Sequence, residues 1–150
     1  MINDVARAFF EAPARRKVAV ELPEEEKAKH GTNDDEVGVL QMSLDGTRDA
    51  SANFEDEIKK VMTEAESHVN KYNATTFYHK GRDLETMVRG VHCYVTGGKR
   101  KSIKWLEDIL ERRFEVSNTI VGHGKGEVQE ARMSNRGIRV NDHGRFYEAD

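Results

Sequence analysis

The chain has 150 residues, of which 37% are hydrophobic and 34% are charged, and its formal net charge is −3. One domain with a lean core is expected at this length and composition. The negative charge argues against a dedicated nucleic-acid coat protein, although a binding groove needs only local positive charge. The single cysteine, Cys93, excludes an internal disulfide and favours an intracellular compartment, cytoplasmic or nuclear. No apolar run is long enough for a membrane span or a secretory signal, so no membrane partner is expected.

Alternating apolar residues predict two strands in the first third of the chain. One lies around residues 18–22 and the other at residues 40–44, where Leu40, Met42 and Leu44 alternate with polar or small residues. Residues 23–36 between them are acidic and polar. This composition predicts a solvated loop without evident chemistry.

Two amphipathic helices follow. The first begins at Asp49, with Thr47 or Asp49 as its cap, and the second begins at about Ser102. In the second helix, Trp105 is interpreted as a core anchor rather than a base-stacking platform. The apolar positions at helical spacing are Phe54, Ile58, Val61, Met62 and Ala65 in the first helix and Ile103, Leu106, Ile109 and Leu110 in the second.

Two hairpins complete the set of predicted elements. Residues 75–78 and 84–88 flank a turn at 80–83, and residues 136–140 and 146–148 flank a turn at 141–144. The order strand, helix, two strands, helix, strands predicts an α+β fold. It fits a split β-α-β, ferredoxin-like sheet with two helices on one face, an order that RNA-binding domains also use.

Two stretches carry the candidate chemistry. In residues 1–10, Asp4 leads an apolar strand into the aromatic pair Phe9 and Phe10. In residues 40–54, Ser43, Leu44, Gly46 and Arg48 occur in that order. Together the two stretches resemble two motifs of the reverse transcriptase of copia-type retrotransposons, and the similarity continues to the C-terminus, so that it covers nearly the whole chain.

The resemblance implies an RNA-directed DNA polymerase with a polymerase palm, which acts on an RNA or DNA template-primer. Such an enzyme uses two Mg²⁺ ions about 3.5–4 Å apart to assist attack of a primer hydroxyl on a triphosphate. In this family Asp4 would be the first metal ligand. Phe9 and Phe10 would line the nucleotide pocket, and Arg48 would contact a phosphate.

A third motif of the family is degenerate here. The family carries two adjacent aspartates at a hairpin tip, and the matching positions are His92 and Cys93, or alternatively Val91 and His92. Asp45 and Asp49 also stand where an aromatic residue and a glutamine are usual. The expectation is an inactive enzyme, with residues 1–150 as a single partial palm domain that lacks fingers, thumb and ribonuclease H regions.

Two other interpretations stay open. The chain could be a non-catalytic nucleic-acid-binding module that uses the sheet and the basic run at residues 99–104. It could also be a pseudogene product with no selected role.

Adjacent strand residues point to opposite faces, so His92 and Cys93 are not expected to chelate one metal ion.

Overall fold

The computed structural model describes residues 1–31, 35–89, 93–133 and 136–149, and of residues 93–95 and 149 it describes the backbone alone. The α+β class is confirmed. No α-helix in these ranges is long and apolar enough to cross a membrane. The α-helices are α1 (Glu24–His30), α2 (Ala50–Glu64) and α3 (Arg100–Arg113), and short 3₁₀ helices lie at Ala8–Glu11 and Lys80–Arg82. The strands are β1 (Ile2–Val5), β2 (Ala19–Glu21), β3 (Val37–Val39), β4 (His68–Val69), β5 (Thr76–His79), β6 (Leu84–Arg89), β7 (Cys93–Gly97), β8 (Val116–Thr119), β9 (Glu130–Met133), β10 (Arg136–Asn141) and β11 (Gly144–Ala149).

The main sheet has six strands in the order β4-β5-β6-β7-β1-β8, and each neighbouring pair is antiparallel. Two smaller antiparallel sheets accompany it, one formed by β9, β10 and β11 and one by β2 and β3. The first strand of the chain therefore lies inside the main sheet, between strands that come about ninety residues or more later in sequence.

One face of the main sheet carries the core. Val5 of β1 and Val88 of β6 belong to the same buried cluster as Phe54 of α2 and Leu106 of α3, so both helices pack on that face. The rings of Phe54 and Phe114 meet edge to face with centroids 6.0 Å apart. Because strand side chains alternate, the residues between these core positions point to the opposite face. Part of that opposite face is covered by the three-stranded sheet, since Ile2 packs with Met133 and Ile138.

The predicted helices and hairpins are confirmed by α2, α3, the β5–β6 pair and the β10–β11 pair, and β2 confirms the strand around residues 18–22. The loop predicted at residues 23–36 is wrong for residues 24–30, which form α1. Glutamates fill the first turn of α1 and basic residues its last turn, which complements the helix dipole. Gly31 ends the helix with φ 62°, and its N–H donates to the Lys27 carbonyl.

The strand predicted at residues 40–44 is also wrong. β3 ends at Val39, and Met42 forms only an isolated antiparallel bridge with Pro13. Proline has no backbone N–H, so a regular ladder cannot continue through Pro13.

Arg113 ties three parts of the core region together. Its Nη2 atom lies 2.7 Å from Glu57 Oε1 in α2 and 2.9 Å from the Glu11 carbonyl oxygen, while Nη1 lies 3.2 Å from Glu11 Oε2. The guanidinium also stacks over the Phe114 ring, 4.8 Å from its centroid. This one side chain therefore links the end of α3 to α2 and to the 3₁₀ helix that follows β1.

We expect Arg113→Ala to lower the free energy of unfolding by about 2 kcal/mol, because the Glu57 carboxylate would lose its partner in a mostly buried position. Equilibrium urea denaturation measures this change. Arg112→Ala is the matched control, since Arg112 is exposed one residue earlier in α3, and its effect should stay within about 0.5 kcal/mol. Equal losses in the two variants would contradict the role assigned to Arg113.

Candidate functional site

Asp4 is exposed on the sheet face opposite to α2 and α3. Its backbone pairs with Ser117 of β8 on one side and with Cys93 of β7 on the other, and Cys93 pairs in turn with Arg89 of β6. Directly paired residues of antiparallel strands point to the same face. Residues 117, 4, 93 and 89 therefore form one row across four strands, which we call the Asp4 row. With strands about 4.8 Å apart, the Cα atoms of Asp4 and Arg89 are about 10 Å apart.

The donor set of the Asp4 row does not fit a two-magnesium centre. Magnesium prefers carboxylate oxygens, and Asp4 is the single carboxylate among the four residues of this row. Among the described side chains, no group of three or more histidine, cysteine or acidic residues is arranged to hold a metal ion. His92 lies outside the described residues, and Cys93 is described by its backbone alone.

The turn that follows β1 places the two aromatic side chains, Phe9 and Phe10, in different environments. Arg7 has φ 50°, and the Phe10 N–H donates to its carbonyl over 2.9 Å, which starts the 3₁₀ helix at Ala8–Glu11. Phe9 is half-buried against the core cluster, whereas Phe10 is 45% exposed. Of the two predicted pocket residues, Phe10 is thus the one that presents most of its ring to a ligand.

The structure brings the two sequence motifs into contact. The Ser43 N–H donates to the Ala12 carbonyl over 2.8 Å, and the Ala14 N–H donates to the Gln41 carbonyl over 2.9 Å. From α2, Asn53 Nδ2 donates to Ser43 Oγ over 3.0 Å, and both side chains are buried. These bonds attach the second motif to the segment that immediately follows the 3₁₀ helix of the first.

Arg48 is exposed in the turn before α2. In the parts of the chain that the structure describes, its guanidinium makes no hydrogen bond or ion pair, so it is available to an anion. No hydrogen bond or ion pair joins it to Asp4 or Phe10 within those parts. The predicted site residues therefore lie on connected segments, but direct contacts do not assemble them into one pocket.

Asp49, next to Arg48, pairs with Arg16 and does not cap α2 with its side chain. It occupies the N-cap position of α2 without a side-chain cap bond, and its Oδ1 accepts a hydrogen bond from Arg16 Nε over 3.0 Å. This bond holds the pKa of the Asp49 carboxyl below its ordinary value. An ion pair with a residue before β2 thus replaces the cap at the start of α2.

Sequence reasoning missed a second cluster, on the other side of the molecule. The guanidinium carbon of Arg82 lies 3.9 Å from the centre of the Trp105 ring, and the His79 ring meets Trp105 edge-on at 5.0 Å. Trp105 is half-buried and packs against the core, which agrees with its interpretation as a core anchor. The sequence signal was the pair of His79 and Arg82 around the predicted turn, but nothing in their spacing pointed to a tryptophan more than twenty residues later.

Comparison of the chain with protein-family models, with curated proteins and with solved structures finds no match. The resemblance to the copia-type reverse transcriptase therefore stays a prediction.

The Arg16–Asp49 bond predicts a pH-dependent effect of Arg16→Ala. Because the folded-state pKa of Asp49 is lowered, the stabilisation is fully present above the unfolded-state pKa and is lost as the pH falls through the folded-state pKa. We expect Arg16→Ala to have a lower urea midpoint than the unmodified chain near neutral pH, and the two midpoints to converge in strong acid.

The control for this experiment is Lys17→Ala, which removes the same charge from an exposed neighbour. Lys17 makes no ion pair within the described ranges. A difference between Arg16→Ala and the unmodified chain that persists unchanged in strong acid would show that the bond to Asp49 is not its cause.

Proposed function

We propose that this chain derives from the palm of a copia-type reverse transcriptase, by ancestry an RNA-directed DNA polymerase, and that it no longer catalyses synthesis. The order of elements supports this proposal. Taken in sequence as β1, α2, β6, β7, α3 and β8, the central elements have the spatial strand order β8-β1-β7-β6 with antiparallel neighbours. This is the order of a split β-α-β unit, which a polymerase palm and several RNA-binding domains use.

The observation that carries the proposal is the backbone pairing of Asp4 with Cys93. Cys93 is the first residue of β7, and it is one of the two positions at which the resemblance locates the lost paired aspartates. A carboxylate at position 93 would therefore share a sheet face and a neighbouring strand with Asp4. That adjacency is what two-metal catalysis requires of its carboxylates.

The loss of activity follows from the charges on the Asp4 row. A single carboxylate cannot compensate two divalent cations that bridge a primer hydroxyl and a triphosphate. Arg89 adds a positive charge to the same row, which disfavours a second cation further. The row therefore does not support magnesium-dependent synthesis.

The remaining residues support binding more than chemistry. Phe10 presents an apolar ring that a ribose could contact, and the exposed guanidinium of Arg48 can hydrogen-bond a phosphate. An RNA or DNA template-primer is the partner that fits this proposal. Such contacts supply orientation, but they do not replace the missing metal ligands.

We expect the purified chain to show no primer extension on an RNA template with either magnesium or manganese. The reason is the absence of the two further carboxylates beside Asp4. Gel analysis of a labelled primer measures extension, and Asp4→Asn provides the background. Incorporation clearly above the Asp4→Asn background would overturn the assignment of inactivity.

We further expect the double replacement of His92 and Cys93 by aspartate to give little or no extension. It would restore two carboxylates, but Arg89 stays on the row and Asp45 and Asp49 still depart from the nucleotide-binding pattern. Positioning of the reactants lowers the activation barrier by on the order of 7–11 kcal/mol in well-oriented reactions. Restored metal ligands should therefore not support extension when the template is not aligned. Robust synthesis that requires Asp4 would instead show that the acidic pair was the one defect.

A second candidate function is a non-catalytic nucleic-acid-binding module, and the start of α3 favours it. The run at residues 99–104 holds four cations beside Trp105. Arg100 is paired with Glu127, and Lys104 Nζ lies 2.7 Å from Glu107 Oε2. Lys101 is exposed and makes no ion pair to any described residue, so its charge is available to a phosphate. Binding of a single-stranded RNA that is unchanged by Asp4→Asn would favour this candidate.

A further inference from the structure

Two cavities adjoin on the helix side of the molecule, and the Arg82–Trp105 stack lines both of them. Both are shallow and open to solvent, with volumes of about 520 Å³ and about 600 Å³. The shared wall consists of a guanidinium plane 3.9 Å from an indole ring. Planar cations and aromatic rings are the surfaces on which nucleobases stack.

His79 forms part of the wall of the first cavity and is 9% exposed. Its Nδ1 atom is shielded from solvent and has no hydrogen-bond partner among the described residues, so it is not available to a ligand. A methyl group added at Gly81, which also lines the cavity, would lie 3.4 Å from the His79 ring carbon Cε1, so Gly81 keeps this wall thin.

Charge is divided between the two cavities. The carboxylates of Glu64 and Glu66 line the first cavity together with His79. The second is lined by the basic residues of the α3 start and by one carboxylate, that of Asp108. Lys104 lies 3.8 Å from Asp108, whereas Lys101 makes no ion pair in the described ranges. The first cavity thus accepts hydrogen bonds, and the second attracts an anion.

We propose that these two cavities together bind a nucleotide whose base carries an exocyclic amine. The base lies in the first cavity against the Arg82–Trp105 wall, where its amine donates to Glu64 or Glu66. The phosphate lies in the second cavity near Lys101 and the guanidinium of Arg82. The site is independent of the Asp4 row, and it deepens the second candidate function because it names the ligand.

The same chemistry could come from a free nucleotide or from one nucleotide of a single strand. Adenine and cytosine both have an exocyclic amine, and uracil has none. A uridine nucleotide should therefore bind more weakly than an adenosine or cytidine nucleotide of the same charge. Because binding needs both cavities, inorganic phosphate alone should bind much more weakly than either.

Trp105 is the single tryptophan of the chain, so its fluorescence reports on this site directly. The experiment titrates the full chain with AMP, CMP, UMP, inorganic phosphate and a short oligo(A). We expect a saturable change in fluorescence with AMP and CMP, about fivefold weaker binding of UMP, and no saturation with phosphate in the same range.

Two variants with matched controls test the two halves of the site. Lys101→Ala should weaken AMP binding about tenfold, whereas Lys60→Ala removes the same charge from an exposed position on α2 and should leave it unchanged. Gly81→Ala should weaken AMP binding several-fold without unfolding the chain, because the new methyl makes contacts no shorter than 3.4 Å while it narrows the first cavity. Gly97→Ala is its control, since a methyl there meets nothing within 4 Å.

The outcomes separate this proposal from the two candidate functions. Saturable binding of AMP or of oligo(A) that Lys101→Ala and Gly81→Ala both weaken supports the site, and the tighter of the two probes identifies the source of the nucleotide. Equal binding of AMP and phosphate, equal effects of Lys101→Ala and Lys60→Ala, or no response to AMP and oligo(A) would each overturn it. If oligo(A) binds in a separation assay without any change in Trp105 fluorescence, the result supports the nucleic-acid-binding module and contradicts the nucleotide site at Trp105.

Discussion

The double pairing of β1 is the constraint on which the rest of the structure depends. Three residues of β1 pair with β7 on one side and four pair with β8 on the other, so the middle of the main sheet cannot form until the chain has returned twice. The alternation of side chains in β1 then fixes what each face receives. Val5 goes to the cluster under α2 and α3, and Asp4 goes to the opposite face.

The same alternation determines the chemistry of the open face. The register of the strands determines which residues lie in the row of Asp4, and these are a serine, a cysteine and an arginine. A shift of one residue in β7 relative to β1 would remove Cys93 from this row, because it would turn every side chain of that strand to the other face. Ser117 would stay, since β8 pairs with β1 independently of β7.

The helix side of the sheet shows how buried polar groups are tolerated. Asn3 is fully buried, and its amide nitrogen hydrogen-bonds Asn118 of β8. Thr86 and Thr96 face each other across β6 and β7 with hydroxyl oxygens that have no partner among the described residues. These groups lie within the packed sheet. His79 Nδ1 is likewise shielded and unpaired among the described residues, although its residue lines the wall of an open cavity.

Local patterns in the sequence determined α2, α3 and the two hairpins. Each of these elements is specified by residues close in the chain, through the spacing of apolar positions or through turn residues. The helix α1 was missed because an acidic, polar composition describes an exposed helix as well as a loop. The strand at residues 40–44 failed because its predicted ladder meets Pro13, a partner about thirty residues away that local alternation cannot reveal.

The sequence by itself also selected Asp4, Phe9, Phe10 and Arg48 as candidate site residues, but not their neighbours. Tertiary structure alone decided that Asp4 lies opposite Cys93, that Phe9 is half-buried while Phe10 is exposed, and that Arg82 stacks on Trp105. The physical reason is the same in each case. Side-chain identity and local spacing are written in the sequence, whereas strand register and the contact between a hairpin turn and a distant helix depend on how the whole chain packs.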